Sequence, residues 1–152
     1  MKSIDHDKVK LEIVRRIALL TPDAKGRWGR MSAHQAICHL NDSLLCAMGE
    51  REASIDHSFK ARALAKWCGL YLPMRWPKGI TTRPEIDQEL GGTAPGNFDE
   101  DRRRLLTLTE KFARKPREFQ FAPHPIFLEM TEKQWMRWGY LHADHHLRQF
   151  GV

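Results

Sequence analysis

Little in this sequence belongs to a secreted, membrane-spanning or disulfide-stapled chain. Cysteine is scarce. Cys38, Cys46 and Cys68 are odd in number and form no CxxC pair, which argues against a disulfide framework and against a thiolate zinc knuckle. They read as reduced, mostly buried thiols that pack as small apolar residues. No apolar run reaches the roughly 20 residues of a membrane span. The opening stretch MKSIDHDKVKLEIVRR has no continuous apolar core and no small-residue cleavage site, so a signal peptide is not expected and the cytoplasm is. Sustained period-two alternation is missing, and REFQFAP is too short to found a sheet. Internal repeats and low-complexity tracts are absent too. Lys+Arg 25 against Asp+Glu 19 leaves a net charge of +6, but the basic residues are scattered. The densest run, DRRRLL, follows acids in NFDEDRRR, as on a solvated helix face. Neither nucleic acid nor a membrane is expected as a partner.

What remains is helical. With 152 residues, 41% hydrophobic content and five tryptophans, the chain is long and apolar enough for one domain, 1–152, around a sizeable core. Val9, Ile13 and Ile17 recur every four residues in an amphipathic first helix that ends near Thr21-Pro22. Ser32 and Gln35 form a capping box that opens a second helix, reaching about Met48. A shorter helix is expected within residues 58–72, stopping at Pro73. Asn97 caps the next, with acids in its first turn and bases in its last. Thr131 and Gln134 form a second capping box, from which the final helix runs to Phe150. Between them lies a long irregular stretch at 73–96. Loops of that length are usually functional or mobile, and Arg75, Trp76, Lys78 and Arg83 are candidate wall and anchor residues, or simply solvated ones. The expected architecture is all-α: a four-helix bundle with long crossover loops and one short extra helix.

The final helix carries the densest chemistry, in GYLHADHHLRQFGV. At about 100° per residue, His142 and His146 lie about 40° apart on one face, and Gln149, Trp135 and Trp138 share that stripe. Two tryptophans mark it as inward-facing. Imidazoles four apart have Cβ atoms roughly 5–6 Å from each other and can share one ion. They can equally be core histidines bonded to backbone or to Gln149. A third ligand is available in His39, which sits mid-helix on a stripe of small residues with Ala36, Ser43 and Cys46. Facing helices of a bundle build metal sites in this way. Asp42 and Ser43 neighbour His39 on the helix surface. Either could orient its ring, and Asp42 could serve as fourth ligand, as general base, or as a solvated carboxylate. His34 stands beside a helix cap and is expected to face solvent, as is Asp144. His145, off the stripe, is read as structural. Asn41 points away from His39 and receives no role, nor do His6 and His57 at exposed positions. His124, in APHPIF, is either a residue at the mouth of the site or part of a turn fixed by Pro125; the following proline favours the turn.

WGRMSAHQAICHLND, followed by HPIFLEMTEKQWMRWGYLHADHHLRQF, resembles the DinB/YfiT-like metal-binding four-helix bundles. Within that superfamily it resembles the branch of uncharacterised bacterial domains that end in HHLRQF. The likeness covers most of the chain in helix order. It is specific at His39 and at the HxxxHxxQ motif of His142, His146 and Gln149; Arg148 stands where the wider family has glycine. The resemblance implies a divalent metal ion, zinc or nickel, held by three histidines with water at the open positions. Gln149 belongs to the matching motif and His124 to an HPxF element of the branch, while helical spacing alone sets Ser43 and Trp138 beside the site. The resemblance also implies a thiol-dependent transferase or a hydrolase acting on a small molecule, with a low-molecular-weight thiol as a candidate cosubstrate. The alternative is a non-enzymatic metal-binding sensor or stress-response bundle. A two-fold homodimer is the expected assembly, being the commonest for a small domain.

Overall fold

A computed structural model describes residues 1–56 and 62–152. It is all-α: five helices, and among the described residues no strand. The helices are α1 (Asp7–Ala18), α2 (Ala33–Ala47), α3 (Arg62–Tyr71), α4 (Phe98–Ala113) and α5 (Glu132–Gln149). Each expected start signal has its chemistry. Ser32 and Thr131 accept from the backbone N–H of Gln35 and Gln134, whose side chains reach back to the cap residues in two complete capping boxes. Asn97 accepts from the N–H groups of Asp99 and Glu100. These bonds satisfy donors that a helix leaves orphaned at its first turn. α1 stops at Ala18, three residues before Thr21. The beginning expected for α3, and His57, lie outside the described residues.

Helix α2 packs against α4 and α5, α1 packs against the same two, and α3 lies on α5. The core follows from the apolar stripes. Ile13 and Ile17 from α1, Ile37, Leu40 and Leu44 from α2, Leu105 and Phe112 from α4, and Trp135, Met136 and Leu147 from α5 are all buried. Gly139 is where α5 passes close to its neighbours, since a Cβ there would lie 2.8 Å from Phe112 Cε1 and 3.2 Å from Ile4 Cγ2. α2 is the most enclosed helix, and its buried residues include four polar ones: His39, Asn41, Asp42 and Ser43.

The stretch at 73–96 holds one 3₁₀ turn, Pro84–Ile86, and folds onto α2. Arg51 ties it down, donating to the carbonyls of Glu85 and Gly91 and to Thr93 Oγ1. Arg30 pairs with Asp87 from the other side. Irregular backbone beside a helix thereby has its polar groups met by side chains rather than by a ladder.

Candidate metal centre

The three histidines expected from α2 and α5 come together. His39 and His146 are buried, His142 partly so, and one ring nitrogen from each lies within 4.8 Å of the others. His39 Nε2 and His142 Nε2 are 3.1 Å apart. Two nitrogens at about 2.0–2.1 Å from one tetrahedral ion stand roughly 3.3 Å apart, so this pair needs almost no movement to share one.

The hydrogen bonds around the rings settle which nitrogen is free. His39 Nδ1 lies 2.8 Å from the Ile86 carbonyl, which can only accept; Nδ1 therefore carries the proton and Nε2 keeps its lone pair. For His146 the reasoning passes through Gln149. Its Nε2 donates to the Trp28 carbonyl at 2.8 Å, which identifies that atom as the amide nitrogen and the other as oxygen. The oxygen then accepts from His146 Nδ1 at 3.0 Å, leaving His146 Nε2 free. Gln149 reaches Trp28 because residue 29 is glycine. Its φ is +75°, and a Cβ there would sit 2.8 Å from the Gln149 amide nitrogen. Bonds of this kind, outside the ligands themselves, orient imidazoles for metal.

Burial keeps all three rings neutral. It lowers the pKa of His39, and it holds His142 and His146 well below the ordinary histidine value, with the neighbouring histidines adding to the effect. Neutral imidazole is the ligating form. Trp138 stacks on His142 with centroids 4.8 Å apart, and Trp76, from the long loop, lies 6.1 Å from the same ring.

Other expected residues take different tasks. Asp42 is buried with its carboxylate occupied by the loop: Oδ2 accepts from Gln88 Nε2 and the Thr93 N–H, and Oδ1 from the Thr93 hydroxyl and Arg51. It anchors the segment that carries Ile86 and is not among the atoms that converge with the three rings. We therefore assign it an anchoring role in place of the general base or fourth ligand. Ser43 Oγ is buried without a hydrogen-bond partner among the described residues. His124 Nδ1 accepts from the N–H groups of Ile126 and Phe127, the geometry of a turn, while its ring lies 5.5 Å from Trp138. His145 packs near Trp28, Trp76 and His146. Asp144 is not solvated as expected but pairs with Arg16 and Arg148, joining α1 to α5. His34 bonds Asp101 and is half-buried rather than fully exposed. Lys78 lies over Trp28, Arg83 bonds Ser54, and Arg75 is exposed. The Cys38 and Cys46 thiols are pushed up to about 12, by burial first; Cys68 is only partly buried.

Ile86, Trp28, Gly29, Arg51 and Thr93 went unnoticed in the sequence. A backbone carbonyl leaves no residue-type signature, and Gly29 would have been the one visible hint. A family model described as a protein of unknown function, DUF1569, matches residues 3–151, and the chain belongs to that family. No curated protein and no solved structure matches.

Proposed function

We propose that this member of the DUF1569 family is a metal-dependent enzyme of the DinB/YfiT-like kind, a four-helix bundle whose His39, His142 and His146 hold a divalent zinc or nickel ion. The observation that carries the reading is the pair of fixed tautomers. Ile86 and Gln149 turn two buried imidazoles so that the Nε2 of each is left unprotonated beside His142, the form a shared ion requires. The ion would supply a nucleophile at neutral pH by acidifying the water or thiol it binds, because three neutral ligands leave its double charge uncompensated.

Between hydrolysis and thiol transfer, the fate of Asp42 favours transfer. A hydrolase needs a base beside the attacking water, and the one carboxylate expected there is held by Thr93, Gln88 and Arg51. A coordinated thiol loses its proton outright and needs no such base. A shallow groove of about 460 Å³ is lined by Trp76, Tyr71, Tyr140, Arg75, Arg137, Arg148 and Asp144 among others, and by none of the three histidines. Trp76 is also the residue that lies against His142. The test is conjugation of a low-molecular-weight thiol to a model electrophile by metal-loaded protein. Turnover that disappears in His146→Ala supports the reading. Equal rates for the two proteins, or none above the uncatalysed reaction across a thiol panel, refute it.

A further inference from the structure

Helices α2 and α4 meet through a second cluster that the three-histidine group does not use. His34 and Cys38 are four apart on α2 and share a face, and Asp101 comes from the first turn of α4. Asp101 Oδ2 lies 2.7 Å from His34 Nε2 and 3.6 Å from Cys38 Sγ, and it accepts the Gly96 N–H at 3.1 Å. One donor atom from each of the three side chains lies within 4.8 Å of the others. Cys38 is buried, whereas the side chains of His34 and Asp101 keep 18% and 17% of their exposure, so the cluster is open to solvent on their side.

We propose that His34, Cys38 and Asp101 form a second divalent-metal site, suited to zinc, at the α2–α4 junction. The donor set is imidazole, thiolate and carboxylate, the mixture zinc accepts. Sulfur and oxygen bound to one tetrahedral zinc, at about 2.3 Å and 2.0–2.2 Å, stand roughly 3.6 Å apart, which is the gap between Cys38 Sγ and Asp101 Oδ2. The proton that His34 Nε2 now donates to Asp101 Oδ2 would pass to Nδ1, and the separation between the two atoms would open from 2.7 Å to roughly 3.4 Å. On binding, the S–H bond breaks, its proton passes to solvent and a zinc–sulfur bond forms. Thiolate and carboxylate then cancel the double charge, unlike the three-histidine group, so this site serves to brace two helices rather than to activate a ligand.

Asn41 is a neighbour of the cluster on α2. It stands three residues beyond Cys38 and seven beyond His34, on the same face of α2, and is 2% exposed. Its Nδ2 donates to the Asp101 carbonyl at 3.0 Å, which identifies Oδ1 as the amide oxygen. That oxygen is buried with no partner among the described residues, an acceptor that native proteins normally satisfy with a donor, a water or an ion.

Cobalt(II) titration of metal-free protein tests the proposal. A thiolate bound to cobalt absorbs in the near ultraviolet, and the three-histidine group contains no sulfur, so the band reports on a cysteine ligand alone. The band should appear in wild type, persist in His146→Ala and Cys68→Ser, and disappear in both Cys38→Ser and Asp101→Asn. Stoichiometric zinc should abolish it. A wild-type protein without the band overturns the proposal before any variant is needed, and so does a band that survives in Cys38→Ser or Asp101→Asn.

Discussion

Gln149 and Asp42 show how much a single side chain outside the ligand set can decide. Gln149 is held at one end by the Trp28 carbonyl and at the other determines which nitrogen of His146 is free. Gln149→Leu, which keeps the volume and removes both bonds, should weaken metal binding by about 10–100-fold; a competition titration against a chromophoric chelator would show it, and an unchanged affinity would remove Gln149 from the site. Asp42→Ala leaves Arg51, the Thr93 N–H and the Thr93 hydroxyl without their buried acceptor. We expect a loss of about 3–5 kcal/mol in urea unfolding; a loss under about 1 kcal/mol would mean the loop holds itself. The histidines and Gln149 were visible in the sequence because helical spacing puts them on one stripe. The role of Asp42 was not, because its loop partners, Gln88 and Thr93, lie more than forty residues away in a stretch without a period.

At the scale of elements, the close approach of α5 to α4 and the turn before α5 bear the clearest consequences. Gly139→Ala places a methyl group where Phe112 and Ile4 already stand, and overpacking of this kind costs about 1–3 kcal/mol; a thermal melt should fall accordingly. The turn at His124 makes the fold acid-sensitive. Burial pushes the His124 pKa down to about 3, against an unfolded value of about 6.5. The unfolded chain therefore binds a proton that the folded one refuses, and the stability present above pH 6.5 is lost as pH falls from there towards 3. His124→Asn retains an acceptor for the Ile126 and Phe127 N–H groups but cannot titrate. Its unfolding free energy should fall less steeply than wild type between pH 6 and 4; parallel curves would contradict this. Helix ends were the most legible elements, since a capping box is a local contract between residues three apart. The course of 73–96 was not, because Arg51, Arg30 and Asp42 that fix it belong to other elements.

For the whole molecule, the proposed metal site depends on His39 from α2 meeting His142 and His146 from α5. An ion that binds the folded chain alone stabilises it by mass action, about 2.7 kcal/mol at a hundredfold excess over the dissociation constant. For a domain of this size that corresponds to roughly 5–10 °C in melting temperature. The all-α class followed from helical periods and the lack of alternation, while the meeting of α2 and α5 at His39 was an expectation that only a three-dimensional arrangement could examine. The most direct measurement is the metal content of protein purified without a histidine tag, taken in a Cys38→Ser background so that the α2–α4 cluster contributes nothing. The account predicts about one divalent ion per chain, lost when His39→Ala is added. Only a trace of metal, or a content that His39→Ala leaves unchanged, would contradict it.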